Sequence, residues 1–146
     1  MNKARLLKLA KHLKSGKLGH KNFDFSCFNE DDSGNSPVHK CGTNGCAIGE
    51  CPILFPRSWY FDDTGFPKLK NEEHFMSLSC AAQFFGISYT DAQYLFIPHE
   101  CSIFPYVKTT IGKRKPLGGT ATKTQVADNI IKYVEAVERK NSKKSS

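Results

Sequence analysis

Apolar residues recur at helical spacing in four stretches of the chain. Leu6, Leu9, Ala10 and Leu13 share one face while lysines take the other. With Asn2 as cap and Gly16 and Gly19 as terminators, this predicts a helix over roughly residues 3–15. Phe75, Leu78, Ala82 and Phe85 predict a second helix over roughly 72–85, closed by Gly86. Ser88 with Asp91 resembles a capping box that opens a short third helix carrying Ala92, Leu95 and Phe96, and Pro98 stops it. The last helix, over roughly 123–138, has Thr122 and Gln125 as capping box and Val126, Ile130, Val134 and Val137 as apolar stripe.

Elsewhere the pattern is shorter or absent. "NFDFSCF" alternates, with Phe23, Phe25 and Cys27 on one side and Asp24 and Ser26 on the other. "NEDDSGNSP" and "DDTGFPKLKN" read as loops. Pro52 and Pro56 keep "PILFPRSWYF" extended or turning. Residues 98–121 read as a long irregular connection with three prolines. The fold expected is therefore mainly α: a compact single domain of about four helices, long irregular loops and room for a short β-hairpin. Residues 1–138 form the globular unit, and 139–146, "RKNSKKSS", form a disordered basic tail.

A length of 146 residues fits that single domain. A domain of this size buries about 68–70% of its unfolded surface, enough for a core without staples. The net charge of +7 adds something the helices do not. Lysines and arginines gather at the front, at the back, and in a third group of Lys108, Lys113, Arg114, Lys115 and Lys123. Such a balance suits acidic or phosphate-bearing partners, although solvated lysine faces are common on proteins that bind neither. No stretch reads as a membrane span, and the N-terminus lacks the apolar run of a secretory signal. The expected compartment is the cytoplasm, with no membrane partner, and the six cysteines are expected as buried apolar groups, metal ligands or reactive thiols.

"HKCGTNGCAIGECP", residues 39–52, concentrates the candidate chemistry. His39, Cys41, Cys46 and Cys51 have the ligand types that suit zinc. Their C-x4-C-x4-C spacing departs from the close pairs of common structural sites, and Cys80, His99 and Cys101 would have to complete a site from afar. Alternatively Cys46, or Cys41, is a nucleophile. Cys46 precedes "AIGE", and a helix N-terminus there would lower its pKa, with His39, His74 or His99 as base. The third reading is packing: Gly42, Gly45 and Gly49 let backbones approach while Cys41, Cys46, Ala47 and Ile48 fill a core. A strand–turn–helix buried against the first helix needs these residue types without any chemistry, and this reading is preferred. No cofactor is expected, zinc being the one alternative.

"LLKLAKHLKSGKLGHKNFDFS", "CGTNGCAIGECPILFP", "AAQFFGISYTDAQYLF" and "TKTQVADNIIKYVEAV" together resemble a set of small proteins of bacteria and their phages. Those proteins share an "FD-x-S" stretch, a "CGT-x-x-C-A-x-G" core, an "F-G-[IL]-S-x-x-x-A-x-x-LF" helix pair and a closing "Q-V-A-x-x-I" helix. The resemblance covers most of the chain and implies a bacterial or phage context rather than a chemistry. Cys51 stands where those proteins often carry a small or apolar residue, which weakens a shared three-cysteine zinc site.

Two further signals bear on partners. Ala82, Gly86, Ser88, Ala92 and Leu95 have helix-turn-helix spacing. The second helix of that pair exposes no Lys or Arg, and Asp91 is expected to face the phosphates, which counts against a DNA reader. Lys113, Arg114, Lys115, Gly118, Gly119 and Thr120 form a basic, glycine-bearing approach to the last helix, an anion-binding candidate without Walker-loop spacing. The combined expectation is a small cytoplasmic, non-enzymatic binding or accessory protein that contacts a protein, nucleotide or nucleic-acid partner. A cysteine-dependent enzyme and a helix-turn-helix DNA binder are the alternatives.

Overall fold

The computed structural model describes residues 1–19, 22–25, 44–72, 76–101 and 104–145. Their elements, in chain order, are α1 (Lys3–Lys14), β1 (Asn22–Phe23), β2 (Asn44–Gly45), α2 (Cys51–Leu54), β3 (Trp59–Phe61), β4 (Pro67–Leu69), α3 (Ser77–Phe85), α4 (Tyr89–Phe96), β5 (Val107–Thr109), β6 (Gly112–Arg114) and α5 (Lys123–Lys144). Short 3-10 turns at Ile48–Glu50 and His99–Cys101 lead into α2 and follow α4. The three strand pairings are β1–β2, parallel, and the antiparallel hairpins β3–β4 and β5–β6. The fold is thus mainly α, with five helices among the described residues where about four were expected.

The apolar stripes of α1 and α5 face each other. Leu6, Leu9, Ala10 and Leu13 are wholly buried, as are Val126, Ala127 and Ile130. Lys3 pairs with Glu138 at one end of the two helices and Lys14 with Asp128 at the other, so they run antiparallel. Asn2 caps α1 by accepting from Arg5 N–H at 3.1 Å. Its own N–H donates to Phe85 O at 2.7 Å, which fixes the start of α1 on the end of α3. The Arg5 guanidinium lies 4.1 Å from the Phe84 ring centre and donates to the Phe84 carbonyl. Between α3 and α4 the chain turns at Gly86, with φ +62°; Gly86 and Ile87 N–H return to Gln83 and Ala82 carbonyls. A left-handed residue with these two bonds is the usual way to end a helix, and glycine takes it without a Cβ penalty.

Several boundaries differ from the pattern reading. α3 starts at Ser77, later than expected, with Met76 before it in extended backbone. Phe75, expected on its apolar face, lies outside the described residues. "DDTGFPKLKN" is not all loop: Asp62 Oδ1 accepts from Thr64 N, Thr64 Oγ1 and Phe66 N, making a tight turn from which β4 returns. α2 forms because Pro52 sits in its first turn, where a missing N–H costs nothing. α5 does not stop near 138 but continues through residues 139–144, expected as a disordered tail. Lys143 and Lys144 in its last turn complement the helix dipole there.

Candidate functional site

The described part of the Cys-Gly segment is a two-residue strand followed by a turn and a short helix, with residues 46–52 buried. Cys46 is 7% exposed, and Ala47, Ile48, Glu50 and Cys51 are 0% exposed. Gly49 N–H donates to Cys46 Sγ at 3.4 Å, and Cys51 Sγ lies 3.8 Å from the Ala47 carbonyl. Burial pushes the Cys46 thiol up in pKa, and the N–H groups of Gly49 and Ile48 offset this only in part. Cys51 is pushed further by its own burial, with Cys46 and Glu50 adding to it. The backbone donors expected to activate Cys46 are therefore present, but desolvation outweighs them. Glu50 is the buried polar group of this region. Its Oε1 lies 2.9 Å from His12 Nε2 and 2.7 Å from Gly19 N–H, tying α1, the chain after it and the Cys-Gly turn together.

The zinc candidates are brought together only in part. Cys46 and Cys51 are close enough to interact electrostatically. His39 and Cys41 lie outside the described residues, as does His74. Cys80 is buried and its thiol is raised, mainly by burial. Cys101 is disulfide-bonded, so the expectation of free thiols throughout does not hold for it, and it adds no thiolate to Cys46 and Cys51. Among the described residues no three His, Cys, Asp or Glu side chains gather as a metal site.

In the glycine approach to α5, one backbone donor is engaged by the protein itself. Glu100 Oε2 accepts from Gly119 N–H at 3.0 Å, and its Oε1 lies 3.4 Å from His99 Nε2. Its own backbone N–H and that of Gly119, with His99 and Lys115 nearby, hold the Glu100 carboxyl below the usual range. Thr122 and Gln125 exchange both capping-box bonds, so their two N–H groups at the start of α5 are engaged as well. Gly119 N–H thus already has a carboxylate of the protein itself as its partner, on a side chain that is 55% exposed.

Lys113, Arg114 and Lys115 have a different setting. They belong to hairpin β5–β6 and its exit, in a region expected to be irregular. Val107 pairs with Arg114, Lys108 with Lys113 and Thr109 with Gly112. Strand alternation puts Val107 and Thr109 inward, half-buried and buried, and leaves Lys108 and Lys113 side by side on the outer face. Tyr106 and Lys115 continue the same alternation at the two ends. Lys113 Nζ stands 5.4 Å from the Tyr106 ring centre, and the tyrosine remains 51% exposed. Like charges directly opposite each other on a hairpin are destabilising. Neither Lys108 nor Lys113 has an ion-pair partner among the described residues.

What holds this hairpin in place is Asp91. Its place in the first turn of α4 predicts a carboxylate facing phosphates, but it is 1% exposed. Its N–H donates to Ser88 Oγ, one half of the expected capping box. The carboxylate turns away to the hairpin, accepting from Thr110 N–H at 2.7 Å, Thr110 Oγ1 at 2.5 Å and Tyr133 OH at 2.8 Å. Lys140 Nζ donates to the Thr110 carbonyl, so the turn residue is gripped from α4 and α5. Burial opposes ionisation of Asp91, but the bonds from Thr110, Tyr133 and Ser88 together outweigh it and hold its pKa low. Burial and the Asp91 charge push the Tyr133 hydroxyl well up, so it stays a donor.

This clamp also changes the helix-turn-helix reading. The α3–α4 turn has the expected form, but hairpin and α5 cover the face of α4 that carries Asp91 and Tyr94. Sequence reasoning missed Tyr106 and the place of Lys108 on a strand face beside it, and it missed Tyr133 and the role of Asp91 as its acceptor. A signal for the first two existed: "YVKTTIGKRK" alternates about a glycine turn. Among the described residues no helix is long and apolar enough to cross a membrane. No family model, curated protein or solved structure matches the chain.

Proposed function

We propose that this chain is a non-enzymatic binding protein that contacts a phosphate-bearing partner through the outer face of hairpin β5–β6. One observation carries the reading: Lys108 and Lys113 are paired across the hairpin without a counter-charge among the described residues, on a turn gripped from two helices. The fold accepts a repulsion there that a neutral pair would avoid. Lys132, Arg139 and Lys143 recur on one flank of α5, next to the stripe that carries Tyr133 and Lys140, with Glu135 and Glu138 beside them. Preorganised cations on a rigid element lose less entropy on binding than cations on a loop. Of the two candidate nucleophiles, Cys46 is disfavoured by the burial that raises its thiol, and Cys41 lies outside the described residues.

Binding to inorganic polyphosphate over a range of salt tests the proposal. Affinity should fall steeply with salt as counterions are released. Replacing Lys108, Lys113 and Lys115 together by glutamine should flatten the log–log slope by roughly two to three, about one for each phosphate that is no longer neutralised. An unchanged slope in the triple variant would overturn the proposal.

A further inference from the structure

The outer face of the hairpin carries an aromatic ring among its cations, and charge alone gives no role to that ring. Tyr106 is half exposed, with Lys113 over one face of its ring. Lys108 stands two residues along the same strand face, about 6.6 Å away by strand geometry. At the root of the hairpin, Ile97, Pro98, Phe104, Val107 and Pro116 are the main lining of a shallow apolar cleft of about 290 Å³. That is below the usual 300–1,000 Å³ of small-molecule pockets, a space for a flat ring rather than a whole cofactor. Phe104 at its rim is 71% exposed.

We infer that the partner is a single-stranded nucleic acid, with an unpaired base stacked on Tyr106 and flanking phosphates on Lys108, Lys113 and Lys115. This rests on the reading of the hairpin as a phosphate-binding surface and gives that surface its substrate class. Ring faces beside cations are how proteins hold single strands without reading their sequence, because every base offers a π-face. A duplex keeps its bases stacked inside and has nothing to offer Tyr106. It would also need a reading element, and the face of α4 with Asp91 and Tyr94 is covered. An acidic peptide would satisfy the lysines and leave the ring unused.

The test measures binding of the full chain to oligothymidylate, oligouridylate, a DNA duplex of equal phosphate count, polyglutamate and inorganic polyphosphate at one salt concentration. Both single strands should bind more tightly than the duplex and polyglutamate. Tyr106→Leu should lower the ratio of oligothymidylate to polyphosphate affinity about tenfold, within the usual worth of a stacked base. Tyr106→Phe should keep that ratio, since the ring is retained. Preference for oligouridylate over oligothymidylate, or the reverse, assigns RNA or DNA as the source within the same proposal and supports it. Duplex or polyglutamate binding as tight as the single strands would overturn the inference. So would a ratio unmoved by Tyr106→Leu while polyphosphate still binds, and the phosphate-surface reading would then stand alone. Failure of every polyanion to bind would overturn both.

Discussion

Replacing Asp91 by alanine removes the acceptor that joins α4, the β5–β6 turn and α5. Three donors lose their partner: Thr110 N–H, Thr110 Oγ1 and Tyr133 OH. A hydrogen bond to a charged group is worth about 1.5–3 kcal/mol, but three bonds to one carboxylate do not add. Tyr133 is 2% exposed, so its hydroxyl stays buried and unpaired, while Thr110 is exposed and rehydrates. The expected cost is therefore about 3–5 kcal/mol, in the range for breaking a buried charged interaction from one side. Tyr133→Phe alone should cost about 1.5–3 kcal/mol. In the Asp91→Ala background the same change should be nearly neutral, because no acceptor remains. Urea unfolding of the four proteins measures this cycle. The pH dependence gives a second check. Asp91 has a depressed folded pKa, so its contribution is fully present above the unfolded value of about 3.9 and is lost as pH falls through the lower folded value. Asp91→Ala should flatten that acid limb. A cost below about 1 kcal/mol, or strict additivity with Tyr133→Phe, would refute the clamp.

Other expectations follow from the buried cluster around the Cys-Gly turn. Cys46, Cys51 and Cys80 should react with a disulfide reagent far more slowly in the folded protein than in urea, because burial raises all three thiols; one fast thiol among them at neutral pH would raise the cysteine-enzyme alternative above the binding reading. Glu50→Ala should destabilise by about 1.5–3 kcal/mol, since His12 and Gly19 N–H both lose their charged acceptor, and a thermal melt within a degree of the parent would contradict this.

The helices were legible where local signals and tertiary packing agree. α1 and α5 follow their apolar stripes and caps almost residue by residue at the N-terminal ends, because Asn2 and the Thr122–Gln125 box settle those ends locally. The C-terminal end of α5 was misread because "RKNSKKSS" has no apolar period, yet basic residues suit a last helical turn. The hairpin was missed because three-residue strands give too little alternation to stand out from a Pro- and Gly-bearing stretch. Asp91 was misplaced for another reason. Its role as a helix-start residue is local, whereas its partners Thr110 and Tyr133 are 19 and 42 residues away. For Cys46 the sequence showed the helix-start donors but not the burial that outweighs them.

The central claim is that the outer face of β5–β6 is the working surface of this protein. Backbone amide shifts recorded by NMR while oligothymidylate is titrated into the full chain test it most directly. The account predicts the largest, salt-sensitive shifts at residues 106–115, with smaller ones along the Lys132, Arg139 and Lys143 flank of α5. Shifts centred instead on His12 and the Cys46–Cys51 turn, with the hairpin unmoved, would contradict it.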